Sequence, residues 1–262
     1  MDYKSICSKV CTIAKATGLF IKNERYKTGV SIEIKGSNDF VTQIDKASEV
    51  KIIESLNTLI PEAGFIAEEG TTSHTGEVYN WIIDPIDGTT NFIHGLTPYA
   101  ISIALQKNDE IIIGVVYEVG LDECFYAWKD SPAYLNGKEI KVSNTTSVKD
   151  SLIATGFPYS NFDKLDGFMH SIRHFMEHSR GLRRLGSAAT DLAYVACGRF
   201  DSFYEYNLKA WDVAAGAFLI QQAGGKICDF SGGKNFIFGK EIIATNGNTF
   251  NEFKHIVQQI MN

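Results

Sequence analysis

Asp84 and Asp87 are delivered at the end of an apolar run in Trp81-Ile82-Ile83-Asp84-Pro85-Ile86-Asp87-Gly88-Thr89-Thr90-Asn91-Phe92. Carboxylate oxygens at such a point suit a hard divalent cation. Pro85 cannot donate to a sheet ladder, so the strand is expected to stop there. Gly88 frees the backbone to turn, and Thr89 and Thr90 can cap a following helix. The start of that helix would set backbone N–H groups suited to an anion beside the acids. A phosphate held together with a metal ion satisfies both halves. Two unscreened carboxylates at a buried turn would otherwise repel and raise a pKa. An Asp-rich turn with hydroxyl caps is the plainer alternative, and the stretch alone leaves both open.

More acids share this context. Glu68 follows the apolar run Gly64-Phe65-Ile66-Ala67, and Asp212 opens Trp211-Asp212-Val213-Ala214-Ala215-Gly216. Asp45 lies in the first turns of a helix expected over Val41–Ile60, where the helix dipole favours a carboxylate. Two magnesium ions about 3.5–4 Å apart can activate a water and stabilise a leaving oxygen in phosphoryl transfer.

The elements that must position these groups follow from periodicity. Helical spacing of Ile6, Val10, Ile13, Phe20 and Ile21 predicts a first helix over residues 3–22. Two short strands are expected around Thr28-Gly29, ending in the polar tip Lys35–Asp39. Strands at Tyr99–Gln106, Ile111–Tyr117 and Cys124–Trp128, with a turn at Asn136-Gly137, read as an antiparallel sheet. After about residue 145, strands at Ser151–Thr155, Leu182–Leu185, Phe200–Glu205, Lys226–Asp229 and Glu241–Thr245 alternate with helices at Leu165–His178, Ser187–Cys197 and Ala210–Ala223. A last helix starts near Thr249. That alternation argues for an α/β layer. Residues 1–145 and 146–262 are read as two halves packed into one body.

Composition excludes several classes. Twenty-five basic against 31 acidic residues give a formal net charge of −6, which argues against a general nucleic-acid binder. No apolar run reaches membrane-spanning length, and Met1-Asp2-Tyr3-Lys4-Ser5 has no export-signal pattern. Cys7, Cys11, Cys124, Cys197 and Cys228 are odd in number and widely spaced, so they read as thiols in a reducing, cytoplasmic setting. His170, His174 and His178 recur every four residues but lack an accompanying carboxylate, and read as exposed helical residues. Arg180, Arg183 and Arg184 read as surface ion-pair partners, with phosphate steering or a subunit contact as alternatives. Trp81 and Trp211 read as packing residues that fix the adjacent acids.

Asp84-Pro85-Ile86-Asp87-Gly88-Thr89-Thr90-Asn91-Phe92, paired with Trp211-Asp212-Val213-Ala214-Ala215-Gly216, resembles the signature pair of the inositol monophosphatase family. Glu68-Glu69 stands before the first signature at a family-like distance, and Glu205 stands before the second with family-like spacing. Gly186-Ser187-Ala188-Ala189 and Cys197-Gly198-Arg199-Phe200-Asp201 fit the intervening region, so the resemblance covers nearly the whole chain. It implies a layered αβαβα sandwich of the inositol monophosphatase and fructose-1,6-bisphosphatase type. It also implies a magnesium-dependent, lithium-sensitive phosphatase with two to three ions, acting on a small phosphorylated metabolite, often as a homodimer.

Residue roles follow from the same resemblance. Glu68, Asp84 and the main-chain oxygen of Ile86 would hold a first magnesium; Asp84, Asp87 and Asp212 a second. Glu68 would also border a weaker third. Thr89 and Asp45 would orient the attacking water, and the N–H groups of Gly88 and Thr89 would grip phosphate. Asp87, Gly186, Ser187, Ala188 and Glu205 would contact substrate. Myo-inositol monophosphate is the expected substrate, with NADP or a sugar bisphosphate such as fructose 1,6-bisphosphate as alternatives. Lys209 stands where the animal enzymes carry histidine, and the Glu68–Asp84 segment is short. Together these would admit larger or more anionic substrates, unless Lys209 is a solvated surface charge. A binding protein on the same fold is the competitor from another class. It should have lost a ligand or the water-positioning pair, and all are present.

Overall fold

Trp81 and Ile83 pack with one set of helices and Ile82 with another, so the strand carrying them is buried on both faces. Successive side chains on a strand point to opposite faces, and a doubly buried strand needs a layer on each side. The computed structural model describes residues 1–28, 32–36 and 39–261. In chain order the elements are α1 (Tyr3–Thr28), β1 (Ile32–Gly36), β2 (Asp39–Thr42), α2 (Gln43–Asn57), β3 (Gly64–Ala67), β4 (Tyr79–Asp87) and α3 (Thr89–His94). Next come β5 (Ala100–Lys107), β6 (Glu110–Glu118), β7 (Glu123–Trp128), β8 (Ala133–Leu135), β9 (Lys138–Ile140) and β10 (Leu152–Thr155). The remainder is α4 (Leu165–His178), β11 (Gly181–Arg183), α5 (Ala188–Ala196), β12 (Ser202–Tyr206), α6 (Ala210–Gln222), β13 (Lys226–Cys228), β14 (Glu241–Thr245) and α7 (Phe250–Met261).

Five layers result. Helices α1 and α2 cover one face of a sheet ordered β3-β4-β5-β6-β7-β8-β9. Only its β3·β4 pair is parallel. Helices α5 and α6 fill the space between that sheet and a second one, ordered β11-β10-β12-β14-β13. Helices α4 and α7 close the far face, where Phe168, Phe175, Tyr204 and Phe253 interlock, with Phe175 and Phe253 stacked at 5.0 Å. Each buried phenylalanine there contributes about 1.5–3 kcal/mol. The middle layer is thin because its residues are small. A β-carbon on Gly216 would lie 2.5 Å from that of Leu192, so α6 lies directly against α5. Such contact needs glycine or alanine at the crossing.

The Asn136-Gly137 turn is a two-residue hairpin between β8 and β9, with positive φ at both residues. This is the twist-matched turn that Asn-Gly favours. Several boundaries differ from expectation, among them the end of α2 at Asn57 instead of Ile60. Helix α1 continues to Thr28, and α2 begins only at Gln43, because Thr42 pairs with Ile32. Strand β4 runs through Pro85 to Asp87, past the expected stop. A bulge between the Asp84–Ser102 and Asp87–Ala100 pairs lets the ladder skip the missing donor, while the Ile86 amide turns to Asp84 Oδ1 at 2.9 Å. Thr28, expected in a turn between two strands, ends α1 instead, and the paired strands β1 and β2 lie on either side of positions 37 and 38; positions 29–31, 37 and 38 lie outside the described residues. No described helix is long and apolar enough to cross a membrane.

Candidate active site

Asp84 shares the parity of Ile82 and so projects toward the middle layer, where α6 begins. There a carboxylate oxygen from each of Asp84, Asp87 and Asp212 lies within 4.8 Å of the others. It is the one such acidic, histidine or cysteine grouping among the described residues. Asp212 reaches it from the first turn of α6, with one oxygen occupied by the Lys209 amide at 2.7 Å. That turn is tied to the sheet by Ser102 Oγ, which donates to Trp211 O at 2.9 Å. Burial, with repulsion from Glu68, Asp87 and Asp212, pushes the Asp84 carboxyl well above the usual range. Burial likewise raises Asp87 to about 6, against the lowering effect of hydrogen bonds from Ser187 and the backbone of Ala189 and Ala188. Mutually repelling oxygen donors, one buried and two half-buried, are the donor set of a hard divalent ion. The residues fit magnesium.

Asp87 is oriented by the start of α5. Its Oδ2 accepts from Ser187 Oγ at 2.6 Å and from the Ala189 amide at 2.7 Å. The bulge and the turn after it bring Thr89 Oγ1 to 2.9 Å from Ile86 O and 3.3 Å from Asp45 Oδ1. Asp45 is fully buried on α2. The expected cap differs: Gly88 is the N-cap of α3, with no side-chain cap bond, and Thr89 faces Asp45 instead. Gly88 has φ 93°, and a β-carbon there would meet Gly186 O at 3.0 Å and Pro98 O at 3.1 Å. Backbone conformation and space both require glycine. Asn91 fastens this turn to the other half of the chain, donating from Nδ2 to Pro98 O and Leu185 O, each at 2.8 Å.

The acids lie along a cavity of about 440 Å³, within the range of small-molecule sites. Glu68, Gly88, Thr89, Gly186, Ser187, Ala188, Glu205 and Lys209 all border it. Glu68 is half-buried and faces Asp84. Lys209 is exposed at the rim. Glu205 shares the parity of Phe203 on β12 and projects inward. Burial, then repulsion from Asp191, Asp212 and Asp87, holds its carboxyl well above the ordinary range. Gly156 makes room for it: a β-carbon there would lie 2.1 Å from the Glu205 carboxyl.

The three arginines part company, with Arg183 exposed and donating from Nη1 to Leu182 O at 2.8 Å. Arg180 pairs with Asp150 at the surface, 3.7 Å apart, as expected. Arg184 does not: its guanidinium borders the cavity over the rings of Phe157 and Tyr159, and Nη2 donates to Tyr159 Oη at 2.5 Å. His174 and His178 stack at 4.5 Å and join no acidic grouping, and all five cysteines are free.

Two buried acids escaped the sequence reading. Glu49 accepts from the amides of Glu69 and Thr71 and from Thr71 Oγ1, at 2.7–2.8 Å, and so fixes the loop that carries Glu68. Asp191 borders the cavity on α5. Each had a signal. Glu49 falls one helical turn after Asp45, and Asp191 one turn after Ser187, each on the face of a residue already singled out.

A family model described as the inositol monophosphatase family matches residues 2–261. An inositol-1-monophosphatase of Mesorhizobium japonicum is 38% identical over 218 residues, 83% of this chain and 82% of that protein. The Pseudomonas aeruginosa protein named Nus factor SuhB is 39% identical over 234 residues, covering 87% and 86%. The solved structure of a Thermotoga maritima IMPase superimposes with a TM-score of 0.88 at 34% identity, covering 99% of this chain and 98% of that one.

Proposed function

Since this chain belongs to the inositol monophosphatase family, a magnesium-dependent phosphatase family, we propose that it hydrolyses a small polyol phosphate monoester, with myo-inositol monophosphate the best single candidate. The observation that carries the reading is the convergence of Asp84, Asp87 and Asp212 on the wall of a polar cavity. Glu68, Asp84, the Ile86 carbonyl, Asp87 and Asp212 would hold magnesium. When bound, magnesium would supply Lewis-acid neutralisation of phosphate charge and lower the pKa of a water nucleophile.

The chain's own groups supply position and proton handling. Thr89 Oγ1, seated between Ile86 O and Asp45 Oδ1, orients the attacking water, and Asp45 takes its proton. The phosphorus–oxygen bond to the polyol breaks as the water oxygen bonds to phosphorus, and solvent protonates the departing alkoxide. The amides of Gly88 and Thr89 hold phosphate oxygens. Glu205 takes a polyol hydroxyl, Ser187 and Ala188 shape the cavity wall beside it, and Lys209 at the rim meets the outer part of larger esters. A homodimer belongs to this reading, supported by Phe157, Phe162, Leu165 and Met169, left 37–54% exposed at and beyond the cavity edge. Sedimentation would check it.

The test is phosphate release with magnesium from inositol 1-phosphate, fructose 1,6-bisphosphate, NADP and 3′-phosphoadenosine 5′-phosphate, each with and without lithium. Preference for inositol 1-phosphate with lithium inhibition is expected. Faster release from NADP or the bisphosphate would keep the chemistry and replace the substrate. The name Nus factor SuhB on relatives near 40% identity favours a second reading, in which the fold also serves a binding partner. No release from any ester, despite measurable magnesium binding, would leave that second reading in its place.

A further inference from the structure

Asp191 is 1% exposed, and its Oδ1 has no hydrogen-bond partner among the described residues. A buried carboxyl oxygen left unpaired costs free energy, so such a group calls for a partner from outside the chain. Asp191 lines the cavity, with Asp87, Arg184 and Glu205 within electrostatic reach of its carboxyl. It is attached to α5 one turn beyond Ser187, whose hydroxyl is already committed to Asp87 and Thr190. The Asp191 side chain therefore does not serve the helix cap. Arg184, clamped by Phe157 and Tyr159, also has a buried Nε without a partner. With that guanidinium close by, Asp191 has no need of a further cation. A neutral group that both donates and accepts hydrogen bonds fits the place between them.

We propose that Asp191 is a specificity-determining residue that binds a substrate hydroxyl, adjacent to the hydroxyl taken by Glu205, so that the cavity selects polyol esters carrying neighbouring hydroxyls. The inference rests on the phosphatase reading above. A carboxyl is two-fold about its last torsion, so the cavity meets the same acceptor whichever oxygen turns outward. A site built to hydrogen-bond a hydroxyl rejects analogues lacking it, because its own polar group is then left unpaired.

The experiment compares kcat/KM for inositol 1-phosphate and for phenyl phosphate, which has no hydroxyl on its leaving group, in the wild type, Asp191→Ala and Asp191→Asn. In Asp191→Ala the ratio of the two is expected to fall about tenfold, mostly through KM for the inositol ester, with phenyl phosphate within about twofold of wild type. Asp191→Asn keeps the volume and one acceptor, and covers the case in which the alanine variant folds poorly; its ratio falls in the same direction by less. A parallel loss on both substrates would reduce Asp191 to a structural role and overturn the proposal, as would an unchanged ratio in both variants. A wild type that cleaves phenyl phosphate but no polyol ester would instead overturn the substrate reading, and this inference with it.

Discussion

Replacing Asp84 by asparagine should make the chain more stable without magnesium and remove most of the stabilisation that magnesium gives. Asp84 takes part in two of the three repulsions among carboxylates whose oxygens lie within 4.8 Å. At an effective dielectric constant near 20, each such pair costs about 3.5 kcal/mol when both are charged. Proton uptake by one acid relieves part of that strain, which is why Asp84 titrates so far above the usual range. The net gain on removing its charge is about 1–3 kcal/mol. For a chain of this size that is a rise in Tm of roughly 3–10 °C in chelator. In the wild type, magnesium at a hundred times its Kd would add about 2.7 kcal/mol, comparable in size. The variant, short of a ligand that both ions would share, should gain little from magnesium and release almost no phosphate. Thermal melts of both proteins in chelator and in saturating magnesium, with phosphate release alongside, give four melting temperatures: the variant leads in chelator, and magnesium raises the wild type far more than the variant. A variant less stable than wild type in chelator, or equally stabilised by magnesium, would refute the claim that this acidic trio is kept for a cation.

Three further outcomes follow from the geometry. Glu49→Ala removes the three hydrogen bonds that hold the Glu69–Thr71 loop; the magnesium concentration for half-maximal activity should rise about tenfold, and an unchanged magnesium titration would show that Glu68 needs no such support. Gly156→Ala places a β-carbon 2.1 Å from the Glu205 carboxyl, so KM for a polyol ester should rise by roughly tenfold with a smaller change in kcat; equal kcat and KM values in variant and wild type would remove Glu205 from substrate binding. In chelator, Tm should fall as pH rises from about 4 to about 6. Asp87 keeps its proton to about 6 when folded but to only about 4 when unfolded, so its contribution is fully present below the lower value and lost through the higher one. Excess magnesium should flatten that slope, and a Tm rising across the window in chelator would contradict it.

Local chemistry was legible without coordinates. Asp84, Asp87, Gly88 and Thr89 are neighbours in sequence, and their geometry is set by a strand end, a bulge and a turn, all short-range devices. The Asn136-Gly137 hairpin and the Leu165–His178 helix were readable for the same reason. Pro85 misled because a bulge, which depends on the partner strand, let β4 pass it. What the tertiary structure decided was which side chains meet across elements. Strand parity sends Asp84 and Glu205 toward one shared layer. The thin, small-residue pair α5 and α6 then brings Asp212, Ser187 and Asp191 to them from other parts of the chain. Arg184 looked like its surface neighbours until Phe157 and Tyr159 folded beneath it, and Glu49 was one more helical acid until the loop after β3 closed onto it. Propensity and motif act over a few residues, whereas burial and partnership are properties of packed layers, so the reacting groups were written in the sequence and their surroundings only in the fold.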